Sequence, residues 1–171
     1  MEICNKRRTT CPLKEQDMGT CSSSRRKEGC GLQVGLHSEA NSEGKVDRYK
    51  ARLVAKGHSQ TYGIDYDETF APVAKMGRVR TLISCAANFG WPLHQLDVKN
   101  AFLHGDLQEE VYMEIPSGFG NEQTLGKVCK LKKSLYGLKQ SQRAWFDRFI
   151  QAVCDMRYSQ CNGDHTVFYK H

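Results

Sequence analysis

No apolar run in the 171 residues approaches the roughly 20 needed to cross a bilayer as a helix, and the first 20 residues are too polar for the apolar core of a secretory leader. The chain therefore reads as intracellular, cytoplasmic or nuclear, with an organelle left open. Regular cysteine spacing is also missing. Of eight cysteines, Cys4, Cys11, Cys21 and Cys30 stand too far apart and too irregularly for paired zinc knuckles, which leaves a zinc-binding module as the last-ranked reading. Cys85, Cys129 and Cys154 fall in apolar patterns that suit reduced, mostly buried thiols. Large apolar residues are scarce before Glu43, where Ser22 to Ser24 and Arg25 to Lys27 form polar runs without sustained periodicity, so residues 1–43 are expected to be disordered. The cluster at Arg25 fits a targeting or nucleic-acid patch, or a solvated tail. Acidic side chains are outnumbered 19 to 25, a bias compatible with nucleic acid and equally with an ordinary soluble surface. The length allows one modest domain, here residues 44–171.

What is present begins with a turn signal at Glu43-Gly44. From Tyr49 the chain alternates, with Tyr49, Ala51, Leu53 and Ala55 on one face and Lys50, Arg52, Val54 and Lys56 on the other, which predicts a strand. Its basic face suits triphosphate oxygens, Arg as a fork and Lys as a point charge. Composition alone favours an edge strand whose lysines discourage pairing. Asp65 to Pro72 is turn-prone and is expected to pack Tyr66 and Phe70. Val79, Leu82, Ile83, Ala86 and Phe89 form a helical stripe closed by Gly90 and Pro92, expected to back a sheet and lead into a strand over Leu93 to Val98.

On that strand Leu96 and Val98 would share one face and Gln95 and Asp97 the other. His104-Gly105-Asp106 is turn-like, so Asp97 falls near a strand end. A lone acid there is a candidate ligand for Mg2+, which takes one or two carboxylates plus substrate phosphates, or else a turn or capping residue. Val111, Met113 and Ile115 alternate into a strand ending at Pro116. Ser117 to Gly126 reads as a flexible connection, and Val128 to Leu131 as a pairing strand. Lys130, Lys132, Lys133 and Lys139 then surround Tyr136 and Gly137, a mixture that lets backbone approach a nucleotide or template closely. Trp145, Phe149, Ala152, Val153 and Met156 predict a core-facing helix from Ser141 to Asp155, and Val167 and Tyr169 hint at a last strand.

The wording of these stretches is itself informative. KARLVAKGHSQ at Lys50 to Gln60, DYDETFAPVAK at Asp65 to Lys75, DVKNAFLHGDL at Asp97 to Leu107, EEVYMEIPSGF at Glu109 to Phe119 and LKKSLYGLKQSQRAW at Leu131 to Trp145 together resemble the reverse transcriptase of copia-type retrotransposons. The resemblance covers about Gly44 to His171. It implies an α+β fold, the fingers and first part of the palm of a right-hand polymerase, with an antiparallel sheet backed by helices. It also implies an RNA-directed DNA polymerase that adds deoxynucleotides to a primer 3′ end.

By the same resemblance Asp97 is the catalytic acid, binding Mg2+ (or Mn2+) together with the Val98 carbonyl. Lys50, Arg52, Lys56, Tyr136, Gly137 and Lys139 would contact nucleotide or template. Phe102, five residues after the acid, would lie under the sugar and exclude a 2′-hydroxyl; the apolar neighbourhood of Ala101 and Leu103, taken alone, favours a core residue. The implied partners are an RNA or DNA template-primer, deoxynucleoside triphosphates and the rest of a polyprotein carrying palm, thumb and nuclease. Three departures stand out. The place of a Trp-containing strand, Gly31 to Ala40, reads as no strand. Gln142 stands where a proline precedes the motif's arginine. The sequence contains no Asp-Asp pair, so the chain alone is expected to be inactive, and a non-catalytic nucleic-acid-binding remnant is the alternative reading.

Overall fold

Alternation from Tyr49 produces β4, Val46–Ala55, and it finds its partner immediately upstream in β3, Leu32–Ala40. The two pair antiparallel from Leu32↔Ala55 to Glu39↔Arg48, with a register irregularity before Ala40↔Val46. The turn between them is held by Asn41, whose side-chain oxygen accepts the Glu43 and Lys45 amides at 3.0 and 2.9 Å, a local bond that asparagine makes readily. The computed structural model describes residues 9–10, 18–21, 30–116 and 127–170, and backbone alone at 9–10, 18–21, 35–39 and 47–51. The Ser117 to Gly126 connection and Cys4 and Cys11 lie outside the described residues.

The strand at Leu32–Ala40 corrects the expectation of disorder up to residue 43 and of no strand at Gly31 to Ala40. Its signal was present: Leu32, Val34 and Leu36 alternate, and an antiparallel partner supplied across a five-residue turn completes the ladder. Two short strands upstream also add to open sheet edges. β1, Thr9–Thr10, lies parallel to β4, and β2, Met18–Cys21, lies antiparallel to β6, Val128–Leu131. Edge pairing uses backbone groups, so it requires no apolar period.

The second sheet has the order β2-β6-β5, with β5 at Tyr112–Glu114 and β6 at Val128–Leu131. Val111 and Met113 point inward and are 1 % and 0 % exposed. They join Cys30, Leu53, Ala55, Cys129, Leu131, Leu135 and Leu138 in one core cluster, which stitches the two sheets together. Backbone bonds cross the same seam: Cys30 N–H donates to Tyr112 O at 2.9 Å and Glu114 N–H to Cys30 O at 3.4 Å. Burial pushes the Cys129 thiol up, which keeps it protonated and inert. Cys154, by contrast, is exposed, because Val153 rather than its neighbour takes the inward position.

Both helices form where their stripes lie: α1 spans Met76–Phe89 and stops at Gly90, and α2 spans Ser141–Asp155. They differ in what they cover. Helix α2 packs through Ala144 and Val153, and its Trp145 and Phe149 rings stand 5.8 Å apart, with Phe149 edge-on to Phe168 at 5.5 Å. Phe168 belongs to β8, Asp164–Tyr169, paired with β7, Ser159–Cys161. Helix α1 buries only Ala86. Leu82 and Ile83 remain half exposed, so the expectation that α1 backs a sheet fails here.

The strand expected over Leu93 to Val98 is not formed either; residues 91–98 have no regular structure, and Leu96 is 90 % exposed. Alternation makes a strand only where a neighbour supplies hydrogen bonds, and no described segment pairs with this one. Phe70 is likewise exposed rather than packed, while Tyr66 is partly covered. An ion pair from Arg78 to Asp164 ties α1 to the β7–β8 hairpin.

Candidate nucleic-acid interface

Four of the sequence-selected positions converge on the root of the β3–β4 hairpin. The Ala55 amide donates to the Tyr136 carbonyl at 2.7 Å, and Val54 and Tyr136 form a parallel bridge. Gly137 follows with φ of 91°, a left-handed conformation that side chains resist. A Cβ on Gly137 would collide with the Ala55 carbonyl oxygen, and one on Gly57 would collide with the Gly137 carbonyl oxygen. The two glycines thus let the backbones of residues 55–57 and 136–137 touch. Arg52 and Lys56, both exposed, flank this junction on β4 and just beyond it. Lys50 occupies β4 opposite His37; its side chain lies outside the description.

Phe102 sits in a short 3-10 turn, Ala101–His104, that begins after Asn100 at φ of 54°. Its ring meets the Tyr136 ring edge-on, 5.3 Å between centroids, and the Ser134 hydroxyl donates to its carbonyl. Phe102 is partly buried, so it is neither a core residue nor a free one. The structure therefore brings together Arg52, Lys56, Phe102, Tyr136 and Gly137 from three separate sequence motifs.

Lys139 is held differently from the other lysines of its cluster. Lys130 pairs with Glu110 at 2.8 Å and Lys133 with Asp106 at 2.5 Å, so both cations are partly neutralised. The Lys139 ammonium instead donates to the Gln60 carbonyl at 3.0 Å and the Tyr66 hydroxyl at 3.2 Å, and lies 4.8 Å from the Tyr66 ring. It lines a cleft of about 370 Å³ with Tyr66, Thr69, Leu138 and Gln142.

Asp97 is not brought to this group by any described contact. It is exposed and lies in the irregular 91–98 segment, so the rigid strand platform expected for it is absent. Magnesium demands near-octahedral oxygen ligation, and among the described residues no group of three or more His, Cys, Asp or Glu could hold a metal ion. Asp97 and the Val98 carbonyl alone do not make a metal site.

Sequence reasoning missed Glu109. The motif arginine, Arg143, is only 17 % exposed at its side chain and pairs with Glu109, itself 13 % exposed. Its guanidinium is spent internally rather than offered to a ligand. A further acid nearby, Glu68, has its carboxyl held below the usual range by the backbone amides of Phe70 and Thr69.

Residues 25–171 match the reverse transcriptase (RNA-dependent DNA polymerase) family. The chain belongs to that family. It is 52% identical over 126 residues to the retrovirus-related Pol polyprotein from transposon TNT 1-94 of Nicotiana tabacum, covering 74% of this chain and 10% of that protein. Identity to the Pol polyproteins from transposons RE1 and RE2 of Arabidopsis thaliana is 54% and 53% over 128 residues, 75% of this chain and 9% of each relative. The chain thus spans about a tenth of the length of these polyproteins. No solved structure matches it. Reverse transcriptases generally use a divalent metal. No helix among the described residues is long and apolar enough to cross a membrane.

Gln142 stands where the resemblance expects a proline before Arg143. Gln142 is exposed in the first turn of α2, where an amide needs no intrahelical partner and proline is tolerated. Gln142→Pro is expected to change stability by no more than about 1 kcal/mol, with a gain favoured by the stiffer unfolded chain and opposed by crowding of Ser141. Urea unfolding checks it; a loss above about 2 kcal/mol would show that the 140–143 turn depends on this amide.

Proposed function

We propose that the chain forms the fingers and first part of the palm of a copia-type RNA-directed DNA polymerase, contributing the surface that receives nucleotide and template. The observation that carries this reading is the junction of Ala55, Phe102, Tyr136 and Gly137. It joins the basic strand, the segment after the acid and the lysine-glycine motif in one place. In this reading Arg52, Lys56 and Lys139 neutralise phosphate oxygens, as Lys50 would from the same strand. Tyr136 and Gly137 offer a close backbone approach, and Phe102, braced on Tyr136, underlies the sugar.

Template-directed addition needs the reacting oxygens positioned and their charge neutralised. This chain supplies cations and a platform. Asp97 is proposed as the first acid of the reaction, with the Val98 carbonyl beside it, to be completed by carboxylates that a longer polyprotein would carry. Deoxynucleoside triphosphates and a template-primer are the proposed ligands, and Mg2+ or Mn2+ the proposed ion of the complete enzyme. A second reading, a nucleic-acid-binding remnant without catalysis, is favoured by the lack of a metal-holding group among the described residues.

Anisotropy of a fluorescein-labelled RNA–DNA primer-template tests the shared part. Binding is expected, weakening linearly in log–log salt, with Arg52→Ala/Lys56→Ala reducing the slope by about 1 to 2. Absence of salt-sensitive binding would overturn both readings. Fusing the chain to the following part of a Pol polyprotein separates them. Primer extension abolished by Asp97→Asn supports the polymerase, and a soluble fusion that binds but never extends supports the remnant.

A further inference from the structure

We infer that Gln60 and Gln140 act as a paired positioning device that holds the Lys139 ammonium ready for a phosphate oxygen. The inference deepens the proposed function and rests on it for the identity of the ligand. Gln140 is 0 % exposed and Gln60 5 %, an unusual use of core volume, since a buried amide is costly unless every group finds a partner. Here both amides do. Gln60 Nε2 donates to Gln140 Oε1 at 3.1 Å, and Gln140 Nε2 donates to the Asp65 carbonyl at 3.0 Å. Chemistry fixes that orientation: turning the Gln140 amide over would set its oxygen against the Asp65 carbonyl and its nitrogen against the Gln60 nitrogen.

The pair ends on Lys139 twice. Gln60 Oε1 accepts the Lys139 backbone amide at 2.9 Å, and the Gln60 carbonyl accepts the Lys139 ammonium at 3.0 Å. A residue gripped at both backbone and side-chain tip has lost most of its rotamer freedom before any ligand arrives, which is how a site is preorganised. Both tip acceptors, the Gln60 carbonyl and the Tyr66 hydroxyl, are neutral, and no carboxylate pairs with Lys139 among the described residues. The positive charge therefore stays available. An ammonium has three donors; two are used here, which leaves one for a phosphate oxygen of a triphosphate or of a nucleic-acid backbone.

The test uses the full chain, with dTTP in Mg2+ and the labelled primer-template as separate probes. Lys139→Ala is expected to weaken at least one probe about tenfold, or about 1.4 kcal/mol. Gln140→Leu, similar in bulk, should weaken the same probe several-fold. The double variant should bind no worse than Lys139→Ala, since residues acting through one contact are not additive. A loss confined to dTTP assigns the ammonium to the triphosphate, and one confined to the primer-template assigns it to the backbone.

Additive losses, or no loss on either probe, would overturn the inference. A ligand-independent readout is the acetylation rate of Lys139 by acetic anhydride relative to Lys132, followed by peptide mass spectrometry. It should rise several-fold in Gln140→Leu and in Tyr66→Phe, the second removing one exposed hydroxyl and leaving the core intact. An unchanged rate in a folded Tyr66→Phe chain also overturns the inference. A raised rate in a chain that binds neither probe would support the grip on Lys139 and remove the polymerase reading.

Discussion

Gly137→Ala is expected to cost at least about 2 kcal/mol and to break the junction on which the proposed interface depends. Two effects add. At φ of 91° an alanine is strained by about 1 to 3 kcal/mol wherever it points. Its methyl would also press on the Ala55 carbonyl oxygen and the Val54 side chain, and backbone cannot rotate aside as a side chain can; overpacking of this kind costs about 1 to 3 kcal/mol more. The Ala55 amide bond to Tyr136 lies in the path of any relaxation. Chemical denaturation of the two chains side by side measures the loss. A Gly137→Ala chain within about 1 kcal/mol of the parent would mean that residues 136–137 can move off β4, and the convergence described above would lose its rigidity.

Arg143→Ala should be comparably damaging, by about 3 kcal/mol, for an electrostatic reason. Removing one member of a buried ion pair strands the other charge without solvent or partner. Glu109 would be that charge, with Oε1 losing Arg143 and Oε2 already lacking a hydrogen-bond partner among the described residues. Asp147, 3.9 Å from the guanidinium, is itself an acid and cannot take the arginine's place beside Glu109. Replacing both members, Arg143→Met with Glu109→Leu, should recover most of the loss, because the pair's attraction roughly offsets its desolvation. Equal losses in the single and double variants would contradict that account and point to packing by the arginine stem.

These two positions also show what the sequence could and could not disclose. Helices at Met76–Phe89 and Ser141–Asp155 and strands at Tyr112–Glu114 and Val128–Leu131 were legible because each carries its own period and its own stop. Gly137 was legible as a close-approach residue, since glycine beside aromatics and lysines has few other uses. The Arg143 pairing with Glu109 was not, because contacts across 34 residues leave no local pattern. Gln60 and Gln140 were hidden for the same reason, and two glutamines on a turn and a helix start read as solvent-facing. Leu93 to Val98 failed in the opposite direction: its alternation is clear, yet alternation states only what a strand would bury, and the ladder must come from elsewhere. Leu32 to Ala40 was passed over although its alternation is equally plain.

The β3–β4 hairpin has a mechanical consequence. Among the described side chains it meets the core cluster near one end, through Leu32, Leu53 and Ala55, while Val34 and Val46 stand 58% and 52% exposed. At about 3.4 Å per residue, its nine-pair ladder is roughly 30 Å long, seated in the core at one end and carrying the two-residue β1 at Tyr49 and Lys50, so it can act as a lever about that root. A swing of about 10° about the root would carry the turn at Asn41 through roughly 5 Å but shift Arg52, three residues from the fulcrum, by under about 2 Å. Such a swing is thus greatest where the sequence is turn-like and least at Arg52 and Lys56, nearest the root. A residue that must meet a phosphate in fixed geometry belongs near the pivot, and a segment that must yield to an incoming duplex belongs at the tip.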